Sequence, residues 1–179
     1  SNGLDSAQVM KTLIQDIKWE HHQIHLAGRK VKCPRMSFWM GEAVYSYSGT
    51  LFTPHPWHPV VFKIKELLEQ RAQTQFNSVL MNYYRDGQDH IGFHRDDEVE
   101  LGDHPYIASI SLGATRDFIV KSKGEKWDIP LDDDTLFLMF GDFQKLYQHG
   151  IPKRSQVAQP RINLTYRMIT PLQNSTASW

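Results

Sequence analysis

The sequence predicts an α+β, mainly β domain, an antiparallel double-sheet fold with helices at its N-terminal end. Two observations carry this. Helical periodicity is confined to the residues before 76, and from there on short alternating runs separated by turn residues take over. A layered antiparallel arrangement is the economical way to bury many short strands behind a few helices. With 179 residues and no Gly/Ser-rich linker, charged low-complexity run or internal repeat, residues 1–179 read as a single domain with a substantial core.

In chain order, residues 6–17 read as a first helix. Val9, Leu13 and Ile17 recur at helical spacing behind the capping candidates Asp5 and Ser6. A second helix is expected over 59–73, with Val60, Ile64, Leu67 and Leu68 as its apolar stripe and Pro59 at a first-turn position. Strands are expected at 78–84, 106–112, 117–121, 135–140 and 162–169. Asp132, Asp133 and Asp134 are adjacent, so their side chains diverge, and they read as a solvated turn rather than a metal site.

Composition sets limits on function. A formal net charge of zero means that any affinity for nucleic acid must come from local patches. The single cysteine, Cys33, excludes an intramolecular disulfide and fits a reducing compartment. No apolar run has the length of a membrane span and the N-terminus lacks a signal-peptide pattern, so a cytoplasmic monomer without membrane association is expected.

The chemistry-bearing run is Gly92-Phe93-His94-Arg95-Asp96-Asp97-Glu98. In an extended chain residues i and i+2 point to the same side, so His94 and Asp96 could close on one metal ion. His149 could add a third ligand from a neighbouring strand. Two histidines and one carboxylate on one face leave the opposite positions open, the ligand set of non-haem Fe(II) oxygenases. His90 is the competing ligand, because it lies four residues before His94 as on a zincin helix, although Gly92 and the β-like flanks argue against helix. Further on, Ile162, Leu164, Tyr166 and Met168 alternate with Arg161, Asn163, Thr165 and Arg167. Two planar guanidiniums on one face suit an anionic co-substrate. Alternatively, this would be a half-buried strand with its polar face in water.

Taken in order, His94-Arg95-Asp96, His149 and Arg161-x-Asn163-x-x-x-Arg167 resemble the AlkB family of Fe(II)- and 2-oxoglutarate-dependent nucleic-acid dealkylases. Asn82-Tyr83-Tyr84 is similar to that family's Asn-x-Tyr strand, and Asp89 to Glu98 is similar to its double-stranded-DNA repair branch. The resemblance implies a jelly-roll, or double-stranded β-helix, core over about 76–170 with helices packed on one sheet, and a nucleotide-recognition segment over about 20–58. It implies Fe(II) held by His94, Asp96 and His149. It also implies 2-oxoglutarate held by Arg161 and Arg167, with Asn82, Tyr84, Asn163 and Thr165 in support. The implied partners are O2 and alkylated DNA, single- or double-stranded, with RNA as the alternative. The implied reaction frees 1-methyladenine or 3-methylcytosine of its methyl group as formaldehyde.

Substrate residues follow from the same resemblance. Tyr45 and Tyr47 would stack a flipped base, and Glu98, or Asp97 in its place, would accept a hydrogen bond from the exocyclic amine. The run from His25 to Arg35 holds four cations, Arg29, Lys30, Lys32 and Arg35, a pattern suited to phosphates. Ala27, before Gly28 and Arg29, stands where duplex-repairing relatives carry an aromatic wedge, and Leu26 is the nearest apolar side chain of useful size.

Overall fold

The computed structural model describes residues 4–170 except 27, 48 and 49, with the side chains of 24–26, 46, 47 and 50 outside the description. The first helix, α1 (Ser6–Asp16), starts at Asp5, whose carboxylate accepts the Ala7 backbone N–H. Next come β1 (Gln23–Leu26), β2 (Arg29–Lys32), β3 (Met36–Gly41), β4 (Tyr45–Tyr47) and β5 (Thr50–Phe52). The second helix, α2 (Pro59–Ala72), is capped by the His58 side chain, carries Pro59 in its first turn, and ends at Gln73 in the left-handed region. Its fully buried residue is Val61 rather than Val60, with Ile64 and Leu68 beside it.

The remaining elements are β6 (Ser78–Tyr84), β7 (Ile91–His94), β8 (Ile107–Gly113), β9 (Arg116–Ser122), β10 (Glu125–Leu131), β11 (Thr135–Met139), the short helix α3 (Phe143–Leu146), β12 (Gln148–Ile151) and β13 (Arg161–Arg167). They form two antiparallel sheets, ordered β11-β8-β13-β6-β3 and β10-β9-β12-β7. This is the double-sheet, jelly-roll arrangement expected. The larger sheet takes its edge strand, β3, from within residues 20–58, and β3 pairs with β6 from Met36↔Tyr83 to Gly41↔Ser78.

Strand β13 runs through the middle of the larger sheet, and all seven of its residues are buried. Ile162, Leu164 and Tyr166 face a core completed by Val9 and Leu13 of α1, Val61, Ile64 and Leu68 of α2, and Val79 and Met81 of β6. Each such side chain contributes roughly 1.5–3 kcal/mol of burial, so this face anchors the strand. The Tyr166 hydroxyl donates to the Val61 carbonyl at 2.8 Å. The strand stops at Arg167, and Met168, expected to continue the apolar face, is exposed. A second core, including Ile107, Phe118, Val120, Leu131, Met139 and Ile151, fills the space between the sheets. The other face of β13, with Arg161, Asn163, Thr165 and Arg167, lines a pocket there. Its polar groups are therefore buried and not in water. The Asp132–Asp134 run is an exposed turn, with Asp132 and Asp133 accepting from Thr115 and Ser6.

Candidate metal and co-substrate site

The two imidazoles come together because their strands pair. His149 of β12 is the cross-strand partner of His94 in β7, and Asp96 follows two residues beyond His94. One potential ligand atom from each residue lies within 4.8 Å of the other two. The closest approaches are 3.7 Å from His94 Nε2 to Asp96 Oδ1 and 3.5 Å from His149 Nε2 to Asp96 Oδ2. His90 is not in this cluster. Its Nδ1 lies 3.0 Å from the Gln88 carbonyl, and β7 is extended, not helical.

The electrostatics suit a cation. Burial pushes the His94 pKa down to about 4, with Asp96 opposing, so the imidazole is neutral at neutral pH and keeps a lone pair for a metal. Its Nδ1 sits 2.9 Å from the Gly92 carbonyl, the contact that orients Nε2 toward the cluster. Burial acts to raise the Asp96 carboxyl, but Arg167, a hydrogen bond from His149 and the two imidazoles outweigh it and hold the group well below the usual carboxylate range. Arg167 Nη2 donates to Asp96 Oδ1 at 3.1 Å. The backbone N–H of Asp96 donates to the buried Gln144 side chain at 2.9 Å. His149 packs against Phe118 and Phe143, at ring-centroid distances of 5.2 and 5.8 Å.

The neighbouring wall fits a dicarboxylic ligand. Arg161 is 2% exposed and has no carboxylate in ion-pair distance among the described residues. Its Nη2 donates to Ser111 at 2.9 Å, whereas Nε and Nη1, beside the Tyr84 side chain, are buried without a close hydrogen-bond partner among the described residues. A buried guanidinium left this way is costly unless an anion completes it. Its carbon lies 5.2 Å from the centre of the Tyr84 ring. Asn163 donates to Ser109 at 2.7 Å and accepts from Thr165 at 2.6 Å, a short chain of bonds that fixes the floor between the two arginines.

Three buried polar residues at or next to the site were not assigned to it from the sequence. Arg35 is buried, and its Nε donates to Asn82 Oδ1 at 2.9 Å. It is therefore not part of an exposed phosphate-facing run, of which Arg29, Lys30 and Lys32 remain at the surface. Nothing local in the sequence separates it from the other three. Gln144 and Arg116 were also missed. A lone polar residue carries no period, and only topology brings it to the site.

On the proposed substrate side, Tyr45 needs correction. Its ring is fully buried, stacked on Trp39 at 4.8 Å with 18° between planes, with the Arg167 guanidinium 5.6 Å from its centre. No ring face is left for a flipped base, so Tyr45 is a wall residue. Burial raises its hydroxyl well above the ordinary tyrosine range. Glu98 hydrogen-bonds that hydroxyl and is half-buried, its carboxyl pushed up by burial, while Asp97 is exposed. Gly28, with φ 74, and Arg29 are exposed at the β1–β2 turn. Ala27 and the side chains of Tyr47 and Leu26 lie outside the described residues.

Comparison with known proteins agrees with this geometry. The family described as the 2OG-Fe(II) oxygenase superfamily matches residues 4–167. Alpha-ketoglutarate-dependent dioxygenase alkB homolog 3 is 38% identical in both mouse and human over 175 residues, covering 91% of this chain and 61% of theirs. Mouse DNA oxidative demethylase ALKBH2 is 37% identical over 161 residues, covering 83% of this chain and 67% of its own. The solved structure of OsALKBH1 superposes with a TM-score of 0.61 at 17% identity, covering 91% of this chain and 90% of that one, which bears on fold alone. The chain belongs to the 2OG-Fe(II) oxygenase superfamily and, within it, to the AlkB family. It spans about three fifths of the length of the alkB homolog 3 proteins. A neutral His94 imidazole with His149 beside it, an ionised carboxylate and an arginine lacking an anion fit Fe(II) and 2-oxoglutarate, the groups that this superfamily's name specifies.

Proposed function

We propose that this chain is an oxidative nucleic-acid demethylase acting on N-alkylated DNA bases, with 1-methyladenine and 3-methylcytosine as substrates. The observation that carries the reading is the buried Arg161 without an anionic partner, on the same pocket as the His94–Asp96–His149 cluster. A protein that only bound nucleic acid would have no use for such a clamp. The name of the ALKBH2 relatives, DNA oxidative demethylase, supports the substrate class. Fe(II) with 2-oxoglutarate supplies the activation of O2 needed to hydroxylate an N-methyl carbon. The balance is one 2-oxoglutarate, one O2 and one N-methyl base giving succinate, CO2, formaldehyde and the unmodified base.

The chain's own residues do the positioning. His94, Asp96 and His149 hold the metal from one side. Arg161 takes the distal carboxylate of the co-substrate in a bidentate contact, and Arg167 keeps Asp96 ionised and aimed. Asn82 is itself set by Arg35. Glu98 is the base-facing carboxylate, with its hydrogen bond to Tyr45 fixing its direction. The test is anaerobic titration with Fe(II) and 2-oxoglutarate, then turnover on matched methylated single- and double-stranded DNA and on methylated RNA. Formaldehyde release stoichiometric with succinate on DNA is expected. Uncoupled succinate formation with every oligonucleotide would overturn the substrate class, and turnover confined to RNA would move it.

A further inference from the structure

Against Tyr84, which lines the pocket beside Arg161, lies a second arginine that the chemistry above does not use. Arg116, the first residue of β9, is 2% exposed. It too has no carboxylate in ion-pair distance among the described residues. Instead Nη1 donates to the Asp86 carbonyl at 3.1 Å, and Nη2 to the Asp89 and Pro152 carbonyls at 2.8 and 2.7 Å. Its Nε is buried without a partner. Its carbon lies 5.6 Å from the centre of the same Tyr84 ring that Arg161 approaches to 5.2 Å.

These contacts have a logic in the topology. The 85–90 turn connects β6, which carries Asn82 and Tyr84, to β7, which carries His94. Pro152 directly follows β12, which carries His149. One guanidinium therefore ties the segments that present both imidazoles, and bears on the aromatic ring beside the free Arg161 nitrogens. Its three bonds go to neutral carbonyls, and the Asp89 and Asp117 carboxylates offset its charge only from beyond ion-pair distance, so two cations on one tyrosine make this end of the pocket electropositive at low local dielectric.

We propose that Arg116 is a positioning residue for the co-substrate, setting Tyr84 and Arg161 and favouring a dianionic over a monoanionic 2-keto acid. The inference rests on the reading that this site takes 2-oxoglutarate, and not on which nucleic acid is repaired. Calorimetric binding to the Fe(II)-loaded protein without oxygen tests it, using 2-oxoglutarate and 2-oxobutanoate, which share the chelating end but differ in the distal carboxylate. Arg116→Gln should lower the ratio of the two affinities about tenfold, the effect of one partly screened charge. Arg116→Lys keeps the charge but cannot hold three carbonyls, and should lower the ratio about threefold. An unchanged ratio in either variant, even with a lower thermal midpoint, would reduce Arg116 to a structural residue, as would equal losses in both. If Arg116→Gln does not fold, the lysine variant alone decides. Arg161→Met is the control, and if it binds 2-oxoglutarate normally, the co-substrate reading itself fails and takes this proposal with it.

Discussion

Strand β13 and the β1–β2 hairpin lie in the same molecule under opposite constraints. Every residue of β13 is buried, its apolar face locked under two helices and its polar face bonded within the pocket. Among the described residues β1 and β2 pair as a two-stranded sheet of their own, and Arg29, Lys30 and Lys32 are exposed. A group in β13 cannot move without breaking a core, so chemistry placed there is pre-organised. A group on the hairpin can adapt to whatever strand it meets, at little cost to the fold. On the function proposed above, the co-substrate end is thus built for precision and the substrate end for accommodation.

The sharpest way to break this contrast is at the pre-organised end. Asp96→Ala should abolish iron binding and turnover. It should also destabilise the metal-free protein by about 3 kcal/mol, because Arg167 loses its buried carboxylate. Metal titration and urea unfolding check the two halves, and near-normal Fe(II) binding would remove Asp96 from the ligand set. Arg161→Met should weaken 2-oxoglutarate binding by on the order of 2–5 kcal/mol. In the ligand-free protein the same change should cost nothing or stabilise, since it deletes a buried charge without an anion. A clear loss of ligand-free stability would mean that Arg161 has partners enough without a co-substrate.

Acid should reach the same end of the molecule. In the metal-free protein His94 titrates at about 4 when folded, against 6.5 for an unburied histidine. Between these values the unfolded chain holds more protons. The stability supported by the neutral imidazole is therefore complete above the upper value and lost as pH falls to the lower, roughly 3 kcal/mol in all. Urea unfolding across this window should show a steeper slope for the wild type than for His94→Gln, and parallel slopes would contradict the assignment. Gln144→Ala removes the acceptor of the Asp96 backbone N–H, along with a weak bond to the Met139 sulfur. A roughly ten- to hundredfold loss of metal affinity is expected from an outer support of this kind, and an unchanged affinity would show that Arg167 alone suffices to aim Asp96.

How much of this was legible follows the same division. Arg161, Asn163, Thr165 and Arg167 declared themselves because a central strand alternates with period two, and His94, Asp96 and His149 because ligand spacing is local or a single cross-strand step. Both long helices and strands β6, β8, β9, β11 and β13 could be read from periodicity in the same way, whereas β3 of the larger sheet could not. Strand β10 escaped because its residues are mostly exposed and it carries Pro130, and β7 and β12 because four residues are too few to show a period. Arg35, Arg116 and Gln144 were invisible for a different reason: burial of a lone polar side chain is decided by segments far away in sequence, as with the 55 residues between Arg35 and the His90 carbonyl it approaches. Tyr45 failed in the opposite sense, because an aromatic at a recognition hairpin and one packed under Trp39 have the same sequence pattern.

The smallest expected effect lies on the hairpin, and it tests the accommodating end of the comparison. Opening a duplex to extrude one base costs a few kcal/mol, which a side chain filling the vacated stack offsets. The turn between β1 and β2 offers Ala27, Gly28 and the exposed Arg29, and alanine is too small to replace a base. Wild-type protein is therefore expected to act on single-stranded DNA at least as fast as on duplex. Ala27→Phe should raise the duplex rate a few-fold and leave the single-strand rate and 2-oxoglutarate affinity unchanged, because β1 and β2 belong to a different sheet from β13. Initial rates of formaldehyde release on matched single- and double-stranded methylated oligonucleotides decide it. Equal changes on both substrates, or a strong wild-type preference for duplex, would place the wedge on another element and leave this hairpin as a contact for phosphates alone.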